Sequence, residues 1–158
     1  MTLLNKDGAK VRFPPPLIFL GAIIAGVIVQ RMATPLSLKV AAGIRLAAGV
    51  LLLVCGTSLV ISARIWFTRT CQSPIPWKPT PELILQGPYR FTRNPTYVGV
   101  TLFVIGLGVT VNNLWISLLA APALMAVHFI AVLPEERYLA EKFGESYRNL
   151  LARVRRYV

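Results

Sequence analysis

Residues 87–99 read Gly-Pro-Tyr-Arg-Phe-Thr-Arg-Asn-Pro-Thr-Tyr-Val-Gly and lie at the entrance of a long apolar run. The stretch combines two prolines, two glycines, two arginines and two tyrosines. Because proline lacks an amide hydrogen and crowds the preceding turn, Pro88 and Pro95 prevent one continuous helix through it. A rigid cationic loop beside lipid is costly, so the pattern indicates a loop that binds something.

The composition indicates an integral membrane protein. Of the 158 residues, 55% are hydrophobic, which is more than an ordinary soluble domain carries. The formal net charge is +11, from 17 basic and 6 acidic residues. Beside long apolar runs, this charge favours anionic lipid head groups over nucleic acid as the partner. Cys55 and Cys71 have neither metal-site nor disulfide spacing, so no metal is predicted.

Four apolar runs predict an all-α fold with about four transmembrane helices. The predicted spans are residues 17–29 with their flanks, 40–67, 96–111 and 114–133. The prolines at 14–16 are expected to block any helix before the first run, and Asn112 and Asn113 to form a tight turn. Gly43, Gly49 and Gly56 indicate close packing of the second span against another helix.

A cytoplasmic amphipathic helix is predicted after the fourth span, over residues 135–155. Pro134 is expected to end the span and to begin this helix. One stripe of the helix is apolar, and its members are Leu139, Phe143, Tyr147, Leu150 and Val154. The other faces are charged, so the helix is expected to lie on the membrane surface or to cap the bundle. Gly144 is expected to mark a bend.

The basic residues predict which ends of the helices share a compartment. Most Lys and Arg residues lie in the N-terminal segment (Lys6, Lys10 and Arg12), in the proline-rich connection 68–95 with its flank, and after Pro134. With four spans these three segments lie on one side of the membrane. By the positive-inside rule that side is cytoplasmic, and both termini lie there.

Two features are expected to build one site on this side. Glu135 and Glu136 follow the fourth span, where a helix dipole would favour them, and we expect them to lie opposite Arg90 and Arg93. His128, the only histidine, lies seven residues before Glu135 and so on nearly the same helix face. A lone histidine is usually structural, but ionisable groups at membrane depth indicate function. Carboxylates, arginines and aromatic rings favour a small zwitterionic or cationic ligand.

The order of the short motifs resembles one family of membrane enzymes. Gly87-Pro88-Tyr89-Arg90, then Arg93-Asn94-Pro95-x-Tyr97-x-Gly99, resembles the loop of the methyltransferases related to isoprenylcysteine carboxyl methyltransferase and phospholipid N-methyltransferases. The pattern Glu135-Glu136-x-x-Leu139-x-x-x-Phe143-Gly144-x-x-Tyr147, followed by a basic tail, is similar to that family's C-terminal pattern. The resemblance covers residues 82–158.

The resemblance implies a prokaryotic methyltransferase of the inner membrane that uses S-adenosylmethionine and methylates a lipid-like or prenylated acceptor. It implies one membrane domain, 1–158, in which residues 1–67 form a two-helix part and 68–158 the cofactor-binding core. The cofactor-binding residues that it implies are Gly87, Tyr89, Arg90, Arg93, Asn94, Pro95, Tyr97, Gly99, His128, Glu135 and Glu136.

The acceptor stays open, because Asn94 stands where the carboxyl methyltransferases usually have histidine. For a carboxylate acceptor, Arg93 or Arg153 would orient the acceptor. For an amine acceptor, Glu135 or His128 would take its proton.

Two other functions stay open from the sequence. A membrane reductase of the sterol-reductase kind has similar Asn-Pro-x-Tyr and glutamate-rich motifs and uses NADPH, whose phosphates Arg90 and Arg93 would hold. A non-enzymatic membrane scaffold would present these polar residues to lipid head groups and would have no cavity beside Glu135. The oligomeric state does not follow from the sequence.

Overall fold

The structure is a computed structural model that describes residues 9, 11, 13–73, 75 and 78–157. The helices are α1 Pro15–Met32, α2 Ala42–Arg69, α3 Pro95–Thr110, α4 Leu114–Val127, α5 Leu133–Phe143 and α6 Glu145–Arg153. A 3-10 turn, Gly87–Arg90, precedes α3, and a π-helical turn, His128–Val132, joins α4 to α5. The basic residues Lys6, Lys10 and Arg12 lie outside the described residues.

Three helical stretches are long and apolar enough to cross a membrane: Pro15–Met32, Ala42–Arg69 and Leu114–Phe143. The third predicted span, residues 96–111, is found as α3, which is shorter and also apolar. Large apolar side chains such as Leu20, Ile24 and Leu51 are exposed on these helices, as contact with lipid requires. The prediction of an all-α integral membrane protein is confirmed.

The helix starts at Pro15, so the expectation that the prolines block it until the apolar run is wrong. Proline is tolerated in a first turn, because the amide hydrogens there have no acceptor within the helix.

Pro134 lies in the first turn of α5, as predicted. The prediction that it ends the fourth span is wrong, because the chain stays helical from Leu114 to Phe143. Proline removes one backbone hydrogen bond and crowds the carbonyl one turn earlier. The π-helical turn His128–Val132 lies just before Pro134 and accommodates this defect with its wider backbone.

The predicted bend at Gly144 is confirmed as a full break between α5 and α6. The φ angle of Gly144 is 51°, a conformation that residues with a Cβ rarely adopt. The predicted single helix 135–155 is therefore two helices, and Val154 lies beyond them in extended backbone.

Glycines allow α2 and α3 to pack in close contact. A Cβ on Gly56 would lie 2.6 Å from the backbone nitrogen of Phe103, and one on Gly106 would lie 2.8 Å from that of Leu53. Gly49 likewise packs on α3, whereas Gly43 has no neighbouring atom within 4 Å. The predicted close packing is confirmed at Gly49 and Gly56 but not at Gly43.

The helices pack in the order α2, α3, α4 and α1, so α3 and α4 are the inner pair. Helices α1 and α4 are also in close contact, since a Cβ on Gly26 would lie 2.8 Å from the backbone nitrogen of Ile116. The buried core consists of Phe19, Val104, Ile116, Ala120, Ala123, Val127, Ala131 and Val132.

One end of the bundle is closed by the predicted Asn112 and Asn113 turn, and we call it the turn end. Asn112 adopts a φ of 57°, and its side-chain oxygen accepts a hydrogen bond of 2.9 Å from the backbone nitrogen of Leu38. The Asn113 oxygen accepts from the amides of Trp115 and Ile116 and so caps α4. Arg45 donates to the last carbonyls of α3.

Candidate functional site

The opposite end, which we call the cavity end, surrounds a cavity of about 440 Å³. Its walls come from the start of α1, the end of α2, the proline-rich connection, the start of α3, and α5 with α6. The two unusual segments of the sequence therefore meet at one place. The predicted site residues that line the cavity are Tyr89, Arg93, Asn94, Pro95, Tyr97, Glu135 and Glu136.

The two glycines of the predicted site lie at close backbone contacts rather than on the cavity wall. Gly87 has a φ of 58°, and the indole of Trp66 occupies the place where a Cβ would project. Gly99 faces α2, where a Cβ would lie 2.8 Å from the carbonyl oxygen of Gly56. Both glycines shape the scaffold around the cavity.

The remaining predicted residues also lie away from the cavity wall. Arg90 and Arg153 are exposed. His128 lies on the π-helical turn, and its Nδ1 is 2.9 Å from the hydroxyl oxygen of Tyr157. The cavity thus contains one of the two arginines in the loop motif, Arg93, and one of the two candidate bases, Glu135.

Glu135 is held at the cavity wall by a hydroxyl group from α3. The Tyr97 hydroxyl donates a hydrogen bond of 2.7 Å to Glu135 Oε1. Since the helix continues through Pro134, Glu135 does not stand at a free helix N-terminus, and the expected dipole stabilisation is not what holds it. The neutral Tyr97 hydroxyl holds it instead.

Glu136 binds two guanidinium groups. Arg93 Nη1 lies 3.0 Å from Glu136 Oε1, and Arg156 donates to both carboxylate oxygens, at 2.9 and 2.7 Å. This paired bond raises the pKa of Arg156. The expected position opposite a loop arginine is therefore found for Arg93, whereas Arg90 points to solvent.

The chain after α6 pairs with the loop motif. Arg93 N donates to the carbonyl oxygen of Arg155 at 3.0 Å, and the side chains of Thr92 and Asn94 both donate to that of Arg156 at 3.1 Å. Asn94 therefore serves a backbone contact as well as lining the cavity. No pattern in the sequence signalled this pairing.

Several lining residues were not predicted from the sequence. Phe67, in the last turn of α2, packs edge-on against Tyr89 with 5.9 Å between ring centroids. Burial raises the pKa of the Tyr89 hydroxyl. Gln72 is buried and donates from Nε2 to the carbonyl oxygen of Glu82, and Tyr138 accepts from the backbone nitrogen of Thr80. In the sequence, these residues stand out only as uncharged polar or aromatic residues near the ends of the apolar runs.

The part of the chain that the structure describes contains no candidate cluster of metal ligands. No three His, Cys, Asp or Glu side chains come together there in a way that would hold a metal ion.

Comparison with known proteins gives these residues a context. The chain is 31% identical over 90 residues to the cobalt-zinc-cadmium resistance protein CzcN of Cupriavidus metallidurans, covering 57% of this chain and 40% of that protein. It is 31% identical over 72 residues to the protein-S-isoprenylcysteine O-methyltransferase of Schizosaccharomyces pombe, covering 46% of this chain and 30% of that protein. The chain thus spans less than half the length of these curated relatives.

A family match extends over most of the helices. The sequence model of the phospholipid methyltransferase family matches residues 44–146, which run from the start of α2 through the loop motif and the Glu135-Glu136 pair to the start of α6. This match covers more than half of the chain and includes most of the cavity wall. The chain therefore belongs to the phospholipid methyltransferase family.

Proposed function

We propose that this protein is an S-adenosylmethionine-dependent methyltransferase that acts on a lipid-like or prenylated acceptor at the cytoplasmic face of a prokaryotic inner membrane. Residues 68–158 form the cofactor-binding core of a single membrane domain, and α1 and α2 complete the cavity. The observation that carries the proposal is the cavity end, where charged groups and apolar walls surround one space in a member of this family.

The lining residues fit S-adenosylmethionine. The cavity, at about 440 Å³, lies within the range of ligand sites, about 300–1,000 Å³. Arg93 offers two buried guanidinium nitrogens, Nε and Nη1, that have no hydrogen-bond partner among the described residues, and a carboxylate suits them. Glu135 supplies an acceptor for an ammonium or hydroxyl group, and Phe67 and Tyr89 present aromatic rings to a base or a sulfonium.

The reaction requires little acid-base chemistry from the protein. When bound, S-adenosylmethionine supplies a methyl group that its sulfonium already activates. The chain's own residues hold the two partners in line and exclude water. Leu139, Leu150 and Ile84 on the cavity wall suit a hydrocarbon chain.

In this proposal, only polar residues on the cavity wall act on the acceptor. For a carboxylate acceptor, Arg93 is the orienting residue, because Arg153 is exposed and lies away from the wall. For an amine acceptor, Glu135 accepts the proton, because His128 lies outside the cavity and faces Tyr157.

The relatives support the acceptor class only in part. The Schizosaccharomyces pombe protein is named for methylation of isoprenylcysteine, which favours a prenylated or lipid-like acceptor here. The Cupriavidus metallidurans protein is named for metal resistance, and because the described residues contain no ligand cluster, our proposal includes no metal.

Of the two other functions, the scaffold is disfavoured by the cavity beside Glu135, which a scaffold would not have. The reductase makes a different prediction about the ligand, namely binding of NADPH.

The deciding experiment is calorimetric titration of the detergent-purified protein with S-adenosylmethionine, S-adenosylhomocysteine and NADPH. We expect both sulfur compounds to bind, NADPH not to bind, and Glu135→Ala to weaken binding by about tenfold or more, as loss of a charged hydrogen-bond acceptor does. Glu141→Ala, which removes an exposed carboxylate of α5, is the matched control and should bind as the wild type does. Binding of NADPH alone would replace this proposal with the reductase.

The orientation has its own test. Cys71 is exposed at the cavity end, directly after α2. A membrane-impermeant maleimide should label it in inside-out vesicles and not in intact cells, with Cys71→Ser as the control. The reverse pattern would place the cavity on the outer face.

A further inference from the structure

We propose that residues 154–157 form a clasp that sets the geometry of Arg93 in the cavity, with Arg156 as a positioning residue that acts through Glu136. The proposal rests on the function proposed above, and it assigns a specific task to the extended segment after α6. Three sets of contacts carry it.

The first set fixes the clasp to the loop before α3. The chain leaves α6 at Val154 with φ −120° and ψ 128°, which is extended backbone. Arg93 N then donates to the carbonyl oxygen of Arg155, and the side chains of Thr92 and Asn94 share the carbonyl oxygen of Arg156. Thr92 and Asn94 are only 6% and 8% exposed, so these are shielded bonds. The clasp is therefore held by the residues that flank Arg93.

The second set is the shared carboxylate. Arg156 places its fork across both oxygens of Glu136 with two hydrogen bonds. Arg93 approaches the same carboxylate as an ion pair, from Nη1 to Oε1, without hydrogen-bond geometry. A carboxylate and a guanidinium prefer the two-bond arrangement. Without Arg156, Glu136 would be free to form that arrangement with Arg93 and draw it from the wall. With Arg156 bound to Glu136, neither Nε nor Nη1 of Arg93 has a hydrogen-bond partner among the described residues, and Nη1 meets Glu136 only as an ion pair.

Arg156 itself does not line the cavity, and its side chain is 39% exposed against 12% for Arg93. The Arg156 side chain therefore acts on a bound ligand through Glu136. In this arrangement the two glutamates have different tasks: Glu135 faces the ligand, while Glu136 sets the position of Arg93.

The third contact ties the clasp to the helix that carries the glutamates. The Tyr157 hydroxyl lies 2.9 Å from His128 Nδ1 on the π-helical turn. Burial raises the pKa of Tyr157, so its hydroxyl stays protonated at neutral pH. The clasp thus spans from the arginine-bearing loop to the glutamate-bearing helix. His128 is an anchor in this arrangement rather than a ligand contact.

The test compares Arg156→Gln and Arg156→Lys with Arg148→Gln, an exposed arginine of α6 that neither lines the cavity nor contacts the clasp. Titration with S-adenosylhomocysteine should show about a tenfold loss of affinity for Arg156→Gln, a smaller loss for Arg156→Lys, which keeps the charge but not the fork, and none for Arg148→Gln. The thermal midpoints should stay close to that of the wild type.

A double-mutant cycle separates positioning from mere stability. If Arg156 acts through Arg93, the losses of Arg156→Gln and Arg93→Gln will not add in the double variant. Additive losses, or unchanged affinity of Arg156→Gln, would overturn the clasp.

A second measurement needs no ligand. It therefore tests the clasp even if the wild type does not bind S-adenosylhomocysteine and the proposed function is wrong. Amide hydrogen exchange in peptides covering residues 90–97 should be faster in Arg156→Gln than in Arg148→Gln, with residues 108–116 at the turn end unchanged. Equal exchange in both variants would show that Arg156 holds nothing there.

Discussion

The turn end and the cavity end of the bundle carry similar polar side chains and use them differently. At the turn end, Asn113 caps α4 and Arg45 bonds to the carbonyls that end α3, so each meets an unsatisfied backbone group. At the cavity end, Arg93 and Glu135 meet other side chains around an open space. The same chemical groups thus complete helices at one end and line a cavity at the other.

The difference has an energetic meaning. A cap such as Asn113 stabilises the fold and leaves nothing for a ligand. Arg93 and Glu136 are both largely buried. The free-energy cost of removing two charged groups from water offsets most of the energy gained from their attraction. A protein that keeps such an arrangement beside a cavity favours binding over stability. The comparison predicts that substitutions at the two ends will affect different measurements.

The largest effect is expected for Arg93→Gln at the cavity end. This change removes the ion pair with Glu136 and the buried donors that have no hydrogen-bond partner among the described residues. Affinity for S-adenosylhomocysteine should therefore fall by about 100-fold, near the upper cost of a lost charged bond. The matched control is Arg90→Gln, since Arg90 is exposed in the same loop. The measurement is calorimetry in detergent. Equal losses for the two variants would mean that the loop attracts the ligand only by its net charge.

A smaller effect, on stability, is expected for Gly56→Ala in the helix pair that connects the ends. The new Cβ would lie 2.6 Å from Phe103 N, so α2 must move away from α3 at a cost of about 1–3 kcal/mol. Gly43→Ala, with no atom within 4 Å, should leave stability unchanged or slightly raised. Thermal unfolding of the two variants measures the difference. Equal midpoints would contradict the close packing.

The smallest effect is expected for Asn113→Ala at the turn end. Loss of the α4 cap should lower the free energy of unfolding by about 1 kcal/mol, while affinity for S-adenosylhomocysteine stays at the wild-type value. Asn149→Ala, an exposed position of α6, serves as the control for stability. A clear loss of affinity in Asn113→Ala would show that the two ends are coupled and that the comparison is too simple.

The membrane helices were largely predictable because their signal is local and strong. Apolar runs predicted the first three spans to within a few residues, as at α3, predicted over 96–111 and found at Pro95–Thr110. Gly144 also acted as predicted, since its conformation depends on its own missing side chain. The structural effect of a proline was less predictable. Pro134 does not interrupt the helical backbone, because the π-helical turn before it provides a wider backbone that accommodates the ring.

The residues of the cavity wall were predictable in part, and their arrangement was not. The motif residues Tyr97, Arg93, Glu135 and Glu136 meet at the cavity, whereas Arg90, which has the same charge and lies three residues from Arg93, faces solvent. The arrangement depends on a 3-10 turn and on contacts with residues 64 positions away in sequence, as the bond between Thr92 and Arg156 shows. Sequence spacing carries no information about such contacts.

By itself, the sequence determined that this is a helical membrane protein, and it predicted that the proline-rich loop and the scarce carboxylates lie on one side of the bundle. Hydropathy and charge act on each segment independently, so they can be evaluated without knowing the fold. Only the tertiary structure decided that Glu136 is shared by Arg93 and Arg156, and that the histidine faces Tyr157 instead of the cavity. Those outcomes depend on distances between residues remote in the chain, which packing alone determines.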